Sequence, residues 1–270
     1  MESAAVSQGI VFIHGQPGSS EDWGPLSELL EGRYRLLAPD RPGWGANQEE
    51  ATSLAGNAAW LAERIETWGA ALPVTVVGHS LGGGIAVLLA LDHPELVKSL
   101  VLLGSVGVDL ALNSFDRILA VPTLGHTVIR AGVASVRSGR RAVGRLSAVA
   151  GGRQITERMG HSPTLRALAW LDTQPVTERA RRSFIVEQQA LLAETPSIQR
   201  RLGVLKVPTA VVHGSLDRIV SGEATRLLAE LIPGAEWVLL AGEGHLVPVE
   251  RPDKIVPLID RYAELGGSGS

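Results

Sequence analysis

The sequence contains no cysteine, which excludes disulfides, thiolate metal sites and a cysteine nucleophile. It has no run near the ~20 apolar residues that a membrane-spanning helix needs. A basic excess is missing too: 25 Lys and Arg face 28 Asp and Glu, and a net charge of −3 does not favour nucleic acid or an anionic membrane. Metal-site spacings and phosphate-binding glycine loops are also absent. These absences predict a protein with no cofactor and no nucleic-acid or membrane partner.

The 270 residues, 45% of them hydrophobic, are enough to bury a sizeable core. Residues 1–5 lack the basic and apolar regions of a signal peptide, so we expect a cytoplasmic protein. Residues 266–270 contain only Gly and Ser and are typical of a flexible tail or an expression scar. No feature of the sequence sets an oligomeric state.

Short apolar runs alternate along the chain with longer helical patterns. The strand candidates are residues 10–13, 34–38, 74–77, 100–103, 209–212 and 236–240. The helix candidates between them are residues 22–30, 54–68, 83–91, 223–231 and 253–265. Most of the strand candidates are continuously apolar, which is typical of a parallel sheet covered on both faces. The pattern predicts an α/β fold with a doubly wound, mostly parallel sheet of about six strands.

The alternation stops between residues 105 and 201, where helix-like segments such as 165–171 and 184–193 occur without a strand. We therefore predict a core in two parts, residues 1–104 and 202–265, with a helical insertion at 105–201. Residues 130–182 carry eleven arginines against three acids. We interpret these arginines as a solvated helical surface. The alternative is that one or two of them bind an anionic substrate group in a pocket.

The pentapeptide Gly78-His79-Ser80-Leu81-Gly82 follows an apolar strand candidate and precedes an Ala/Leu-rich helix candidate. A serine on such a turn adopts a strained conformation that exposes its hydroxyl, and the flanking glycines relieve the crowding. The N-terminus of the following helix adds unpaired N–H groups at the same place. This context predicts that Ser80 is a nucleophile.

Two later strand candidates each end in a loop that carries a titratable residue, first Asp217 and then His245. The order Ser80, Asp217, His245 is the one expected for a triad built on such an elbow. We predict that His245 is the general base and that Asp217 orients its ring. Asp40 is more typical of a residue that braces the next turn, and it is the alternative acid.

A glycine-rich loop also follows the first strand candidate, at His14-Gly15-Gln16. An oxyanion needs donors already in place, and we predict the backbone N–H groups of Gln16 and Leu81 for that role. The histidines beside the motifs are interpreted as structural. We expect His14 and His213 to hydrogen-bond loop backbone, and His79 to point away from the nucleophile.

Taken together, these motifs resemble the α/β-hydrolase superfamily. The resemblance rests on His14-Gly15, Asp40-Arg-Pro-Gly-Trp-Gly45, Gly78-His-Ser-Leu-Gly82, His213-Gly-Ser-Leu-Asp217 and Gly244-His245. It implies the triad Ser80, Asp217 and His245, the oxyanion donors Gln16 and Leu81, and a helical cap in the insertion. Only about nine residues precede the first strand candidate, so the N-terminal hairpin of typical members is expected to be missing, as in the compact plant esterase and hydroxynitrile lyase branch.

A serine nucleophile argues against the dehalogenase and epoxide hydrolase branches, which the resemblance associates with an aspartate at this position. We expect a carboxylic-ester hydrolase that acts on small to medium substrates through an acyl-enzyme. Three alternatives stay open: a carbon–carbon bond hydrolase of a diketone-type acid, a perhydrolase or cofactor-free haloperoxidase, and a hydrolase-fold receptor for a small molecule. Selectivity is expected to lie in the cap, where Trp170 is the tryptophan expected to touch a ligand.

Overall fold

The computed structural model describes residues 8–112, 114–122, 127 and 177–265. In these residues six strands form one sheet, in which every neighbouring pair is parallel. The order across the sheet is β2-β1-β3-β4-β5-β6. The strands are β1 (Gln8–Ile13), β2 (Arg35–Leu37), β3 (Ala71–His79), β4 (Val97–Leu103), β5 (Thr209–Gly214) and β6 (Glu236–Leu240).

Helices cover both faces of the sheet. The described α-helices are α1 (Gly24–Leu30), α2 (Leu54–Trp68), α3 (Leu81–Asp92), α4 (Ser114–Leu119), α5 (Glu178–Arg201), α6 (Gly222–Leu231), α7 (Val247–Glu250) and α8 (Pro252–Glu264). Short 3₁₀ turns lie at Ser20–Trp23, Asp109–Ala111 and Leu202–Val204. Side-chain caps set several helix starts: the hydroxyls of Ser53, Thr177 and Ser221 each accept a backbone N–H of the first turn.

Alternate residues of each strand pack on opposite faces. On β1, Val11 and Ile13 join the cluster formed with α2, α3, α5 and α6. Their neighbours Ile10 and Phe12 join the second cluster, with side chains of α1 and α8 such as Leu26 and Ile259. Because both faces are buried, a strand can be apolar at every position, which explains the continuous runs in the sequence.

The predicted α/β fold and the six-stranded parallel sheet are confirmed. In the described sheet β1 is next to the edge strand β2, so it lies near the edge as the sequence predicts. The segment 184–193 is part of α5. Most of the predicted cap, with segment 165–171 and Trp170, lies outside the described residues. In the part of the chain that the structure describes, no helix is both long and apolar enough to cross a membrane.

The strand ends bring five loops to one edge of the sheet. The register pairs Ile13 with Gly78 and His79 with Leu103, and the next strands continue this alignment to Gly214 and Leu240. The residues that follow these positions therefore meet at the carboxyl edge, which is where ligands bind in open α/β sheets.

Candidate active site

Ser80 occupies a strained turn between β3 and α3. Its φ of 54° and ψ of −121° make it the one non-glycine residue with positive φ among the described residues. Such a conformation costs on the order of 1–3 kcal/mol and persists only where the surroundings impose it. Its N–H donates to the carbonyl of Leu103 (2.9 Å), and its own carbonyl accepts from Gly83 (3.0 Å) and Val106 (3.2 Å). The turn is therefore fixed by its neighbours on the sheet.

The two glycines of the motif are needed for close packing. A Cβ at Gly78 would lie 2.6 Å from the carbonyl oxygen of Gly82, and one at Gly82 would lie 2.2 Å from the carbonyl oxygen of Ile13. Both distances are shorter than any normal carbon–oxygen contact. The elbow therefore requires glycine at both positions for steric reasons, as the sequence pattern predicts.

Asp217 and His245 form a hydrogen-bonded pair. The Nδ1 of His245 lies 2.7 Å from Oδ2 of Asp217, and the two side chains are only 7% and 1% exposed. The other oxygen of Asp217 accepts the backbone N–H groups of Ile219 (2.8 Å) and Val220 (3.1 Å). Burial raises the pKa of Asp217, but the charge of His245, the hydrogen bond to it and the two N–H groups outweigh this and lower the pKa below its usual value. The carboxylate is thus ionised and fixed in direction.

Gly104, the residue after β4, lies against this pair. A Cβ there would be 3.1 Å from both Asp217 Oδ2 and His245 Nδ1, and the φ of Gly104 is +50°. Since Gly104 directly follows Leu103, whose carbonyl holds the Ser80 N–H, one strand end connects the serine to the acid–histidine pair. The structure thus gathers Ser80, Asp217 and His245 at the carboxyl edge. The Ser80 hydroxyl, in a residue that is 8% exposed, makes no hydrogen bond within the described residues.

The loop at His14-Gly15-Gln16 lies beside the serine. A Cβ at Gly15 would be 3.1 Å from the Cβ of Ser80, so this loop and the elbow are in close contact. The side chain of Gln16 is turned to α5, where its Nε2 donates to the carbonyl of Phe184 (2.7 Å). Leu81 is the first residue of α3, and its N–H has no partner within the helix. Both backbone donors predicted from the sequence therefore lie in segments that border Ser80.

Asp40 braces the next loop, as predicted. Its carboxylate accepts the backbone N–H groups of Ser20 and Ala46, each at 2.7 Å. Gly45 needs its φ of +50° at this point, and a Cβ there would lie 2.2 Å from the Asp40 carboxyl group. Because this carboxylate is occupied by loop backbone and has no bond to His245, the structure gives no support to Asp40 as the alternative acid.

The histidines beside the motifs differ from one another. His14 bonds loop backbone as predicted, through Nδ1 to the carbonyl of Gly15 (2.9 Å) and Nε2 to the N–H of Arg41 (3.1 Å). The same prediction is wrong for His213, because its buried Nδ1 has no hydrogen-bond partner in the described part of the chain, and its ring stacks on Trp237 instead. His79 contacts the ring of His245, a contact that the sequence did not predict.

The sequence motifs do not predict three further residues that lie near the site. Gly104 is one, and the others are Arg41 and Glu187, which form a completely buried ion pair beside the His14–Gly15 loop. Burial raises the pKa of Glu187, and the guanidinium of Arg41 opposes this. The sequence pattern around Arg41 indicates roles for Asp40 and the glycines but none for the arginine, and Glu187 belongs to an ordinary helical pattern.

A cavity of about 810 Å³ lies to one side of this region, between the loops that carry Gly18 and Gly43 and the start of α5. Its lining includes Asp40 and Arg179 but none of the triad candidates. No group of three or more His, Asp and Glu side chains in the described residues is arranged to hold a metal ion.

Comparison with known proteins supports the fold. A family model described as the alpha/beta hydrolase fold matches residues 9–252. The chain is 29% identical over 265 residues to a 2-hydroxymuconate semialdehyde hydrolase of Pseudomonas putida, covering 93% of this chain and 85% of the relative. It is 27% identical over 255 residues to a pimeloyl-(acyl-carrier protein) methyl ester esterase of Aeromonas hydrophila subsp. hydrophila, covering 94% of each.

Solved structures show the same fold. A thermophilic esterase from Thermogutta terrifontis superimposes with a TM-score of 0.70 at 20% identity, covering 96% of this chain and 90% of that one. The family match includes β2 to β6 and the loops that carry Ser80, Asp217 and His245. The chain is therefore an enzyme of the α/β hydrolase family.

Proposed function

We propose that this protein is a serine hydrolase that cleaves carboxylic esters of small to medium substrates through an acyl-enzyme. The observation that carries the proposal is the 2.7 Å hydrogen bond between His245 Nδ1 and Asp217 Oδ2 at the same sheet edge as the strained Ser80. With Nδ1 donating to the carboxylate, the other ring nitrogen has a free lone pair. That nitrogen is the base a serine hydroxyl needs, since a serine is a poor nucleophile without one.

The reaction follows from these roles. The Ser80 oxygen attacks the ester carbonyl while its proton passes to Nε2 of His245, and Asp217 stabilises the imidazolium. The N–H groups of Gln16 and Leu81 bind the oxyanion of the tetrahedral intermediate. The imidazolium then protonates the leaving alcohol, and the C–O bond to the alcohol breaks. Water, deprotonated by His245, releases the acid by the reverse sequence.

We also propose that residues 105–201 form the cap that covers this edge and selects the substrate. α5, the last helix of that segment, packs beside the His14–Gly15 loop, which supports the position. The acyl and alcohol preferences then depend on side chains of the cap and not on the triad.

The nucleophile is tested by labelling with a fluorophosphonate probe. The wild type should be labelled and Ser80→Ala should not, and hydrolysis of p-nitrophenyl esters should fall by roughly 10⁴-fold or more in the variant. A series of esters with increasing acyl length then gives the size of the acyl site. Equal labelling of both proteins would refute the proposal.

A second candidate is hydrolysis of a carbon–carbon bond in a vinylogous diketone acid. The observation in its favour is the 29% identity to the 2-hydroxymuconate semialdehyde hydrolase, by name an enzyme of a different substrate class from the esterase relative. Both reactions can use the same three side chains, so only substrates separate them. Turnover of a vinylogous diketone acid, with every p-nitrophenyl ester slower by a large factor, would favour this candidate.

A further inference from the structure

Arg41 is a charged residue with no access to solvent. Its relative exposure is 0%, and so is that of Glu187, its ion-pair partner on α5. Burying two charges is costly unless additional hydrogen bonds satisfy both groups. Most of the hydrogen bonds of Arg41 go to the loop that contains His14 and Gly15, and they indicate a role for the buried ion pair.

The Arg41 guanidinium binds two consecutive carbonyl groups of the loop after β1. Its Nε donates to the carbonyl of His14 (3.2 Å), and its Nη2 donates to the carbonyl of Gly15 (2.9 Å). Its Nη1 binds Glu187, and Nη2 also approaches Glu187 Oε2 at 3.4 Å. The planar fork of arginine can serve these partners together, which a compact ammonium group cannot do.

The side chain of His14 provides a second donor to the Gly15 carbonyl. The backbone N–H of Arg41 donates to Nε2 of His14, so this nitrogen carries no proton. The proton of the neutral ring is therefore on Nδ1, which lies 2.9 Å from the carbonyl oxygen of Gly15 and donates to it. Burial, followed by the charge of Arg41, holds the pKa of His14 well below 6.5, so the ring stays in this state.

A peptide unit is planar, and in the trans form its C=O and N–H point in opposite directions. Two donors on the Gly15 carbonyl thus fix the direction of the next N–H, that of Gln16. The same hydrogen bonds polarise the peptide unit and strengthen that N–H as a donor. We propose that Arg41 is a positioning residue of the oxyanion hole, which orients the Gln16 N–H through the Gly15 carbonyl, and that Glu187 holds Arg41 in place for this purpose.

Because Glu187 lies on α5, the orientation of the Gln16 N–H also depends on this helix. Two more hydrogen bonds connect the first turns of this helix to the same region: Gln16 Nε2 to the carbonyl of Phe184, and Ser183 Oγ to the carbonyl of Gly43 (2.9 Å). The loop at His14-Gly15-Gln16 is thus hydrogen-bonded to α5, the last helix of the proposed cap segment. The direction of the Gln16 N–H depends on where α5 lies.

This inference rests on the proposed function, since it concerns an oxyanion. Arg41→Lys keeps the charge opposite Glu187 but loses the fork to the two carbonyls. The double variant Arg41→Met/Glu187→Met removes both buried charges together, which avoids leaving one of them unpaired. If the double variant does not fold, Arg41→Lys carries the test alone. Ile259→Val, a small change in the core between the sheet and α8, is the matched control for packing.

Each protein is measured for kcat and KM on the best p-nitrophenyl ester, and for inhibition by a trifluoromethyl ketone, which forms a tetrahedral oxyanion on the serine. We expect kcat to fall about tenfold to a hundredfold in both Arg41 variants, below the ~10²–10³-fold that removing a whole donor costs. KM should change less than twofold. The Ki of the ketone should rise by the same factor by which kcat/KM falls, and Ile259→Val should match the wild type.

A folded variant with wild-type kcat would overturn the proposal. A variant with a raised KM and an unchanged Ki for the ketone would also overturn it, because substrate binding would then be weakened while binding of the oxyanion is not. Ser80→Ala is measured in parallel. If Ser80→Ala retains the wild-type rate, the proposed function fails, and this result is distinct from any outcome in the Arg41 variants.

Discussion

His79 donates a hydrogen bond from Nε2 to the backbone carbonyl of His245 at 2.9 Å, and the two rings lie 4.7 Å apart. A carbonyl oxygen only accepts, so the proton of the neutral His79 ring is on Nε2. Burial, followed by the charge of His245, lowers the pKa of His79 to about 3, so the ring keeps this form at neutral pH. His79, the residue before the proposed nucleophile Ser80, therefore supports the loop that carries the proposed base His245.

Removing this hydrogen bond should slow the reaction while substrate binding is retained. A Gln side chain at position 79 can place an amide N–H near the former Nε2, whereas Leu cannot donate. We expect His79→Leu to lower kcat by about tenfold to a hundredfold, since small displacements of a base have effects of this size. His79→Gln should restore much of the loss, and KM should change little in either variant. Equal kcat values for the two variants would show that the hydrogen bond is not what matters.

Two substitutions distinguish Asp217, the proposed acid of the triad, from its alternative Asp40. Asp217→Asn keeps the size of the side chain but removes the charge that orients His245, and should lower kcat by roughly 10⁴-fold. Asp40→Asn loses a brace of the loop at Ser20 and Ala46 and should mainly lower the melting temperature. Ester hydrolysis and thermal unfolding measured on both variants check this. A large loss of kcat in Asp40→Asn, with little loss in Asp217→Asn, would reverse the assignment.

Gly104 offers a test of how closely the residues around the Asp217–His245 pair are packed. Gly104→Ala introduces a methyl group 3.1 Å from both Asp217 Oδ2 and His245 Nδ1, on a backbone with φ of +50°. Gly69, at the end of α2, has a similar φ of +77°, but a Cβ there meets nothing within 4 Å. Gly69→Ala is therefore a matched control for the backbone strain alone.

We expect both alanine variants to lose stability, Gly104→Ala by the larger amount because its methyl group also crowds Asp217 and His245, and only Gly104→Ala to lose activity as well. Urea unfolding measures the first effect, and kcat on the best ester measures the second. The backbone strain should cost on the order of 1 kcal/mol in each variant, which is the cost of placing a Cβ in the left-handed region, and the further loss in Gly104→Ala measures the crowding. Full kcat in folded Gly104→Ala would mean that the pair tolerates displacement.

The sequence predicts the parts of this site that depend on local patterns. Ser80 is recognised because glycines two residues away on each side are required sterically between a strand and a helix. Asp217 and His245 are predicted because each lies in the loop after a strand, β5 or β6, and parallel strands end at one edge. These features are contained in short segments, so periodicity and turn chemistry are sufficient to find them.

The remaining features depend on contacts between distant segments. Arg41 and Glu187 are 146 residues apart, and a charged residue in a glycine-rich loop is ordinarily interpreted as exposed. Gly104 has no motif around it, and its role appears only when β4 is placed beside the loops of Asp217 and His245. Similarly, the ring of His213 stacks on Trp237, and its buried Nδ1 has no hydrogen-bond partner among the described residues. Each of these features depends on tertiary packing, which no local sequence pattern predicts.

The lowered pKa values of three buried histidines predict how the free energy of unfolding depends on pH. Burial is the first cause that lowers the pKa of His14, His79 and His213 below 6.5. In the unfolded chain the same side chains take up protons below about pH 6.5, so unfolding is coupled to proton uptake. Their contribution to stability is complete above pH 6.5 and is lost as the pH falls toward the lower folded values. Asp217, with a lowered pKa, loses its contribution only below about pH 3.8.

Between pH 6.5 and pH 4 the free energy of unfolding should therefore decrease steadily, with the histidines as the cause. The fully buried His14 and His79 each add a slope that approaches about 1.4 kcal/mol per pH unit. Urea unfolding at pH 8, 7, 6 and 5 and constant ionic strength measures the decrease, and His79→Gln should make the curve less steep. A midpoint that stays constant from pH 7 to pH 5 would mean that these rings take up protons in the folded protein as readily as in the unfolded chain, and the hydrogen bond that His14 Nε2 accepts from the Arg41 N–H would then need another explanation.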